Sequence, residues 1–590
     1  SSLPCGGKVI TGSSSREAEK PPPNQLDNIV VWEALEKIEE KYANLITLGR
    51  IKHIIPLRNK RQTRFRLEDP LFKLIQIDKT NLLELCGPFY LCDGDRLSYD
   101  LSVRKMDVLP VRNYLDDTNL WESVKDYVYS KLNTVFKHVS FPRQVDSLMT
   151  RMNTGTSCGF PLSLYYKNKK NALSDTWARN YIFEVGLENY EPIWRVVAKR
   201  EWYHADDIDN NKVRTFIIPP LKLLMMQLSF YTGQNESLKM HWWSSYGFNP
   251  YFGGTDRLAR RLLLRDWFLY YDVRSWDRKY PHLKDVYQLR NVFFDSLYDN
   301  LTDWISNKTC ESVLLLADGT LVKKYISNNS GSGNTTPDNI IGHMLTLTYA
   351  LYKLYDGDWK KVDKVIANLF GDDNLMGLDL YDIDPETVES TFRAAYLDFG
   401  WELDPFCLTN DLEGCEYLGF RFHYDERGFW LPRFNLGRIA ASFCYEIEKT
   451  KLEQQISKSY SLMIMSWPHG PEVFESFAEA YRAILRLDIV LNAKEPNICS
   501  YVEIGVPTEN ELIAFYTGCE CSNITKFFRM EEAQRLCPFG HEQSYSRRET
   551  NGEAGGKRKF DTGWEGLVNS CTRSDARHSA QGAAGLAGHM

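Results

Sequence analysis

Four aspartates and a glycine-rich loop dominate the chemistry this chain can do. Asp272 and Asp277 stand in Asp272-Val-Arg-Ser-Trp-Asp277, directly after the β-rich run Trp267-Phe-Leu-Tyr-Tyr271. Asp372 and Asp373 stand in Gly371-Asp372-Asp373, between Val365-Ile-Ala-Asn-Leu-Phe370 and Asn374-Leu-Met-Gly-Leu378. That pattern predicts two short strands with acids at the tip of their turn. Between the two acid pairs lies Ser330-Gly-Ser-Gly-Asn-Thr335-Thr-Pro-Asp-Asn339. Clustered carboxylates at strand ends suit hard divalent cations, which take oxygen ligands and leave room for waters and phosphates. A pair of such cations can activate an attacking hydroxyl and hold the leaving oxygens of a phosphoryl transfer.

The elements around these residues must hold them rigidly. Thr336 as N-cap and Pro337 at the first helical position predict a helix running to about Tyr355. Ile341, Met344, Leu345, Thr348 and Leu351 give that helix one apolar stripe. Gly331 and Gly333 free the preceding loop to change shape. Glu416-Tyr-Leu-Gly-Phe-Arg-Phe422, with its alternating aromatics, reads equally as an ordinary half-buried strand or as part of a hairpin, and Pro471 to Arg486 as a helix.

The order D-x4-D, S-G-x3-T-x3-N, G-D-D resembles the palm of viral RNA-dependent RNA polymerases. The likeness is to those of positive-strand RNA viruses of the picornavirus, calicivirus and astrovirus kind. The resemblance implies an α+β right-hand fold with fingers, a palm of antiparallel sheet with flanking helices, and a helical thumb. It implies that Asp272 and Asp372, with Asp373 assisting, hold Mg²⁺ (Mn²⁺ able to substitute) and carry catalysis. It assigns Asp277, Ser330 and Asn339 to the ribose, and Gly331 and Thr335 to the nucleotide loop. The 2′-hydroxyl is what distinguishes RNA from DNA at a site. Lys199-Arg-Glu201 and Lys212-Val-Arg214 resemble the element lining the nucleotide tunnel, so Lys199, Lys212 and Arg214 are expected to meet the triphosphate. Thr156-Ser157-Cys-Gly159-Phe-Pro161 resembles a template-entry element. Ser157 and Gly159, with Lys167, Lys169 and Lys170 behind them, are expected to meet template RNA. The implied partners are template and nascent RNA, nucleoside triphosphates and other viral replication proteins. The implied location is the host cytoplasm, at virus replication complexes.

One departure from the family pattern stands out. A basic residue, often Lys, usually precedes the hairpin and is proposed to protonate pyrophosphate. No Lys lies between Lys364 and Lys449, and no His between His343 and His423. Arg393 is the nearby cation, and arginine is a poor proton donor.

Bulk properties set the frame. The chain has 590 residues, 43% hydrophobic and 13% aromatic, enough for a large multi-lobed enzyme. A net charge of −7 puts any RNA contact on local basic clusters, such as the run Lys52, Arg58, Lys60, Arg61, Arg64 and Arg66. Thirteen cysteines without repeated spacing read as reduced thiols. There is no apolar run long enough to span a membrane. The start, without an initiator Met or signal peptide, fits excision from a polyprotein or a frameshift product. The expected organisation is a disordered stretch over 1–27, an N-terminal region and fingers over 28–265, and a palm with some fingers insertion over 266–425. A thumb over 426–544 and a disordered tail over 545–590 follow.

Competing chemistries fare worse. Gly155-Thr-Ser157-Cys-Gly159 matches the G-x-S-x-G hydrolase elbow, but Pro161 disfavours the helix that elbow needs. Cys519, Cys521, Cys537 and His541 match no common zinc module, so zinc is not expected. No nucleotide-binding G-x4-G-K-[ST] is present. A catalytically silent RNA-binding scaffold and a reverse transcriptase are the alternatives; the intact acids argue against the first, Asn339 and the S-G-x3-T pattern against the second.

Overall fold

The computed structural model describes residues 20–52, 82–92, 94–150, 152–445 and 451–518. The basic residues Arg58, Lys60, Arg61, Arg64 and Arg66, the group Cys519, Cys521, Cys537 and His541, and the 545–590 tail lie outside them.

A four-stranded antiparallel sheet carries the acids. Its order is Leu403–Thr409, Trp267–Val273, Asp373–Leu378, Ile366–Phe370. In the strand Trp267–Val273, Phe268, Leu269, Tyr271 and Val273 are buried while Asp272 faces solvent. Phe370 pairs with Asp373 across a two-residue turn, and Gly371 takes a φ of 69° there. A left-handed residue at that position matches the twist of a tight hairpin.

A second, five-stranded sheet orders Ile46–Arg50, Thr320–Lys324, Ser312–Leu315, Ile193–Ala198 and Thr215–Ile218. It joins strands from both sides of the expected boundary at 265/266. A three-stranded sheet, Glu416–Tyr417 with Phe420–Tyr424 and Trp430–Phe434, leads into a helical region from Leu436–Cys444 to Glu509–Thr517. This region includes the helix Pro471–Leu485.

The helix Thr335–Leu354 differs from expectation in two ways. It starts earlier: Asn334 is the N-cap position, with no side-chain cap bond, and Thr335 opens the helix. It is also buried on every side from Pro337 to Leu351, not along one stripe. The helices Pro385–Leu397, Thr118–Phe136 and Leu283–Asn291 and the strand Ile366–Phe370 surround it. Its polar residues must therefore be paired internally. Asp338 and Arg290 are both fully buried and paired at 2.5 Å. Tyr287 donates to the same carboxylate at 2.8 Å, and Arg290 also donates to Gln234 and Asn235 at 2.9 and 2.6 Å.

Residues 20–27, expected to be disordered, are ordered, and residues 1–19 lie outside the described residues. Leu26 is fully buried, Lys20 pairs with Asp175 at 2.8 Å, and Asp27 accepts from the Tyr181 hydroxyl at 2.8 Å. A core side chain, one ion pair and one hydrogen bond offset the cost of ordering this segment. The eight cysteines among the described residues are thiols, none of them joined in a disulfide. Among the described residues no helix is long and apolar enough to cross a membrane.

Candidate active site

Asp272, Asp372 and Asp373 meet at the ends of adjacent strands. Their side chains are open to water on one side, yet protein surrounds them on the others. Desolvation is the main reason that all three carboxyls are held above their ordinary range. Mutual repulsion adds to it: Asp373, Asp277 and Asp272 all raise Asp372, while Asp272 and Glu416 raise Asp373. Glu416 belongs to the first strand of the three-stranded sheet, so that hairpin borders the acids. Among the described residues no three carboxylate, histidine or cysteine groups form a preformed metal cage.

Asn374, which the sequence reading passed over, sets the register of this cluster. Its side-chain amide accepts from the Tyr271 N–H at 3.2 Å and donates to the Tyr271 carbonyl at 2.8 Å. It donates as well to the Asp372 carbonyl at 3.1 Å. The amide thus bonds like a backbone unit and ties the neighbour of Asp272 to the turn bearing Asp372. An asparagine inside a strand runs against β propensity, and that was the available signal.

His343 supports the turn from behind. Its Nδ1–H donates to the Gly371 carbonyl at 3.1 Å, and its Nε2 accepts from the Tyr396 hydroxyl at 2.9 Å. A carbonyl can only accept, which fixes the tautomer. Burial pushes the imidazole down to about 4, so it is neutral at pH 7.

Asp277 and Asn339, 62 residues apart in sequence, are joined directly: Asn339 Nδ2 donates to Asp277 Oδ1 at 2.9 Å. Burial holds the Asp277 carboxyl above its ordinary range, while Asn339, Arg278, Lys324 and Arg214 act in the opposite direction. Ser330 accepts from the Ile217 N–H at 3.1 Å.

Two loop residues make local contacts. A Cβ on Gly331 would lie 2.2 Å from the Ile217 carbonyl, so this glycine permits close approach to the strand Thr215–Ile218. The Thr335 hydroxyl is used within its own loop, donating to the carbonyls of Asn329 and Ser332 at 2.7 and 3.0 Å.

The basic residues divide. Arg214 lowers Asp272, Asp277 and Asp373 together, so its charge reaches the acid cluster, although its Nε also stands 4.0 Å from Glu201. Lys199 pairs with Glu201 at 2.8 Å and Lys212 with Asp207 at 3.5 Å. Lys169 is tied to Thr156, whereas Lys167 and Lys170 are exposed. Ser157 accepts from the Gly159 N–H at 3.2 Å. Gly159 is buried with φ of 70°, and a Cβ there would lie 2.1 Å from the Pro219 carbonyl. It shapes the loop and presents no surface of its own. Phe160-Pro161 is followed by a short 3₁₀ turn, Leu162–Leu164, so the hydrolase elbow lacks its helix. Arg393 is engaged by Glu389 at 2.7 Å and by the Leu403 carbonyl.

A family model described as viral RNA-dependent RNA polymerase matches residues 107–486, a span that holds every element of this site. The chain belongs to that family. Membership identifies an RNA-directed RNA polymerase and implies the right-hand polymerase fold. Relatives include the Non-structural polyprotein 1AB of Avian nephritis virus 1, 22% identical over 443 residues, covering 71% of this chain and 28% of the relative. The Genome polyprotein of Plum pox potyvirus (strain El amar) is 26% identical over 353 residues, covering 55% of this chain and 22% of the relative. That of Brome streak virus (strain 11-Cal) is 25% identical over 265 residues, covering 43% and 8%. The polymerase thus spans less than a third of the length of each of these curated relatives. Polymerases of this family generally use divalent metal ions.

Proposed function

We propose that this chain replicates and transcribes a viral RNA genome by adding nucleotides from triphosphates to an RNA 3′ end. The observation that carries the reading is the cluster of Asp272, Asp372 and Asp373, mutually repelling and open to solvent, with Arg214 facing it. In this reading the four-stranded sheet is the palm, the five-stranded sheet belongs to the fingers, and the helices after Leu436 form the thumb.

The donor set fits Mg²⁺, a hard ion that takes few carboxylates and completes its shell with waters and phosphates. Asp272 and Asp372, with Asp373 assisting, would hold two such ions. When bound, they would lower the pKa of the attacking 3′-hydroxyl and neutralise charge on the triphosphate. Arg214 would orient the triphosphate, with Lys199 and Lys212 supplying a positive approach from the same edge. The second oxygen of Asp277 has no donor among the described residues, and the second Asn339 amide hydrogen has no acceptor there. They can receive and donate a hydrogen bond at a ribose 2′-hydroxyl. A deoxynucleotide leaves both unpaired, which costs discrimination energy. Ser157 with Lys167 and Lys170 would lie along the template, while Lys169 braces the loop through Thr156. Cysteines held as thiols fit work in the host cytoplasm, at virus replication complexes with other replication proteins.

The test is RNA-templated incorporation in Mg²⁺ or Mn²⁺ by Asp272→Asn and Asp372→Asn. Both variants should be inactive while still folded. Near-normal activity in either would sink the two-metal reading.

A further inference from the structure

Asn328 lies two residues before the glycine-rich loop, and nothing in the motif pattern assigns it a role. It is 1% exposed. Its backbone N–H donates to the Asp277 carbonyl at 2.9 Å. Its Nδ2 donates to the side-chain oxygen of Asn339 at 2.8 Å and, more weakly, to the Thr335 carbonyl at 3.4 Å. Asn339 then donates to Asp277 at 2.9 Å. The three side chains form one directed relay, Asn328 to Asn339 to Asp277.

Direction is the important property. An asparagine amide can face its neighbours either way round, and only its partners decide. Turning the Asn328 amide over would set its oxygen against two acceptors, Asn339 Oδ1 and the Thr335 carbonyl. Asn328 therefore faces its neighbours as a donor, although its own Oδ1 is buried without a partner among the described residues. That bond occupies the Asn339 oxygen from one side, while the Asp277 carboxylate, which can only accept, holds the Asn339 NH₂ group from the other. One hydrogen of that group serves the carboxylate; the other is left for a ligand oxygen. With no donor at Asn328, the Asn339 oxygen would be buried and unpaired, since Asn339 is only 5% exposed. An unpaired buried acceptor is costly, so the amide would be drawn off its set position, and its bond to Asp277 would weaken.

We propose that Asn328 is a positioning residue for sugar selection: it holds the Asn339 amide in place and thereby presents a donor and an acceptor together to the ribose 2′-hydroxyl. The inference rests on the ribose-reading role given above to Asp277 and Asn339. Asn328 itself touches no substrate in this scheme.

The test uses the full chain and compares kcat/KM for a templated ribonucleotide with that for its 2′-deoxy analogue. Asn328→Leu removes the donor at similar size. Asn328→Asp keeps the shape and replaces the donor by an acceptor. Asn339→Ala serves as the reference for the ribose-reading role. Both Asn328 variants should lower the ribo-to-deoxy ratio by about tenfold or more, in line with the cost of an unpaired buried polar group. Ribonucleotide kcat/KM should fall by less than the ratio does. The inference is overturned if Asn339→Ala collapses the ratio while both Asn328 variants keep it. Equal losses for both sugars would also overturn it, because they would mark a purely structural residue. Thermal unfolding identifies any variant that fails to fold, in which case the other decides; failure of both would likewise make the position structural. An unchanged ratio in Asn339→Ala removes the ribose-reading role itself, and this inference with it.

Discussion

Replacing Asp372 by Asn should abolish synthesis and stabilise the metal-free protein. The carboxyl is pushed up from 3.8 to about 8 by desolvation first and by Asp373, Asp277 and Asp272 next. Taken whole, that rise corresponds to roughly 6 kcal/mol, at about 1.36 kcal/mol per pKa unit. Asp372 is open to water on one side, and solvent screening reduces the usable figure to about 1–2 kcal/mol. The sign follows from linkage. The folded state holds this proton more tightly than the unfolded chain does. Below about pH 4 both states are protonated and there is no penalty. Between about 4 and 8 stability falls as pH rises, and above that the full penalty applies. Asn cannot ionise, so the advantage of Asp372→Asn over the parent should grow across that window. Thermal melts in chelator at pH 5, 6, 7 and 8 should show a gap widening to a few degrees at most, given the size of the chain. Adding Mg²⁺ or Mn²⁺ should narrow the gap, because the parent gains more from an ion that binds only the folded state. Incorporation should fall at least about a thousandfold, roughly 4 kcal/mol of transition-state stabilisation. A variant that melts below the parent at pH 8 in chelator, or whose gap does not depend on pH, would refute the reasoning.

Asn374→Leu removes the amide that bonds both backbone groups of Tyr271; unfolding in urea should show a loss of about 1–3 kcal/mol, and activity should fall further than the unfolded fraction accounts for. His282 and His343 are both pushed down to about 4 by burial. The unfolded chain therefore takes up their protons first, and stability should decline as pH drops from about 6.5 to 4; His343→Phe should make that decline shallower in pH-dependent melts. Lys167→Ala with Lys170→Ala should flatten the log–log salt dependence of single-stranded RNA binding by about 0.7 per lost phosphate contact, measured by titration across salt. An unchanged slope would take these two residues off the template path.

The amino-acid sequence determined which chemistry is available and where its local supports lie. Asp272 after a β-rich apolar run, and Asp372 and Asp373 at a glycine turn, are legible because strand composition and turn chemistry act over a few neighbouring residues. The helix Pro471–Leu485 is legible for the same reason. Tertiary structure decided what joins these pieces. The bond from Asn339 to Asp277 crosses 62 residues, and the pair Arg290–Asp338 crosses 48. Buried polar groups seek any partner that completes their hydrogen bonding, and that search leaves no period in the chain. Gly331 looked like a hinge and Thr335 like a ligand because their types permit both. The carbonyl of Ile217 above one, and the loop carbonyls around the other, are contacts that only the tertiary structure supplies. The helix Thr335–Leu354 showed one apolar stripe in sequence but is enclosed on all sides, because its polar face is satisfied by Arg290, Tyr287 and Tyr396 rather than by water. Residue types name the reaction, but long-range pairing aims the groups that carry it out.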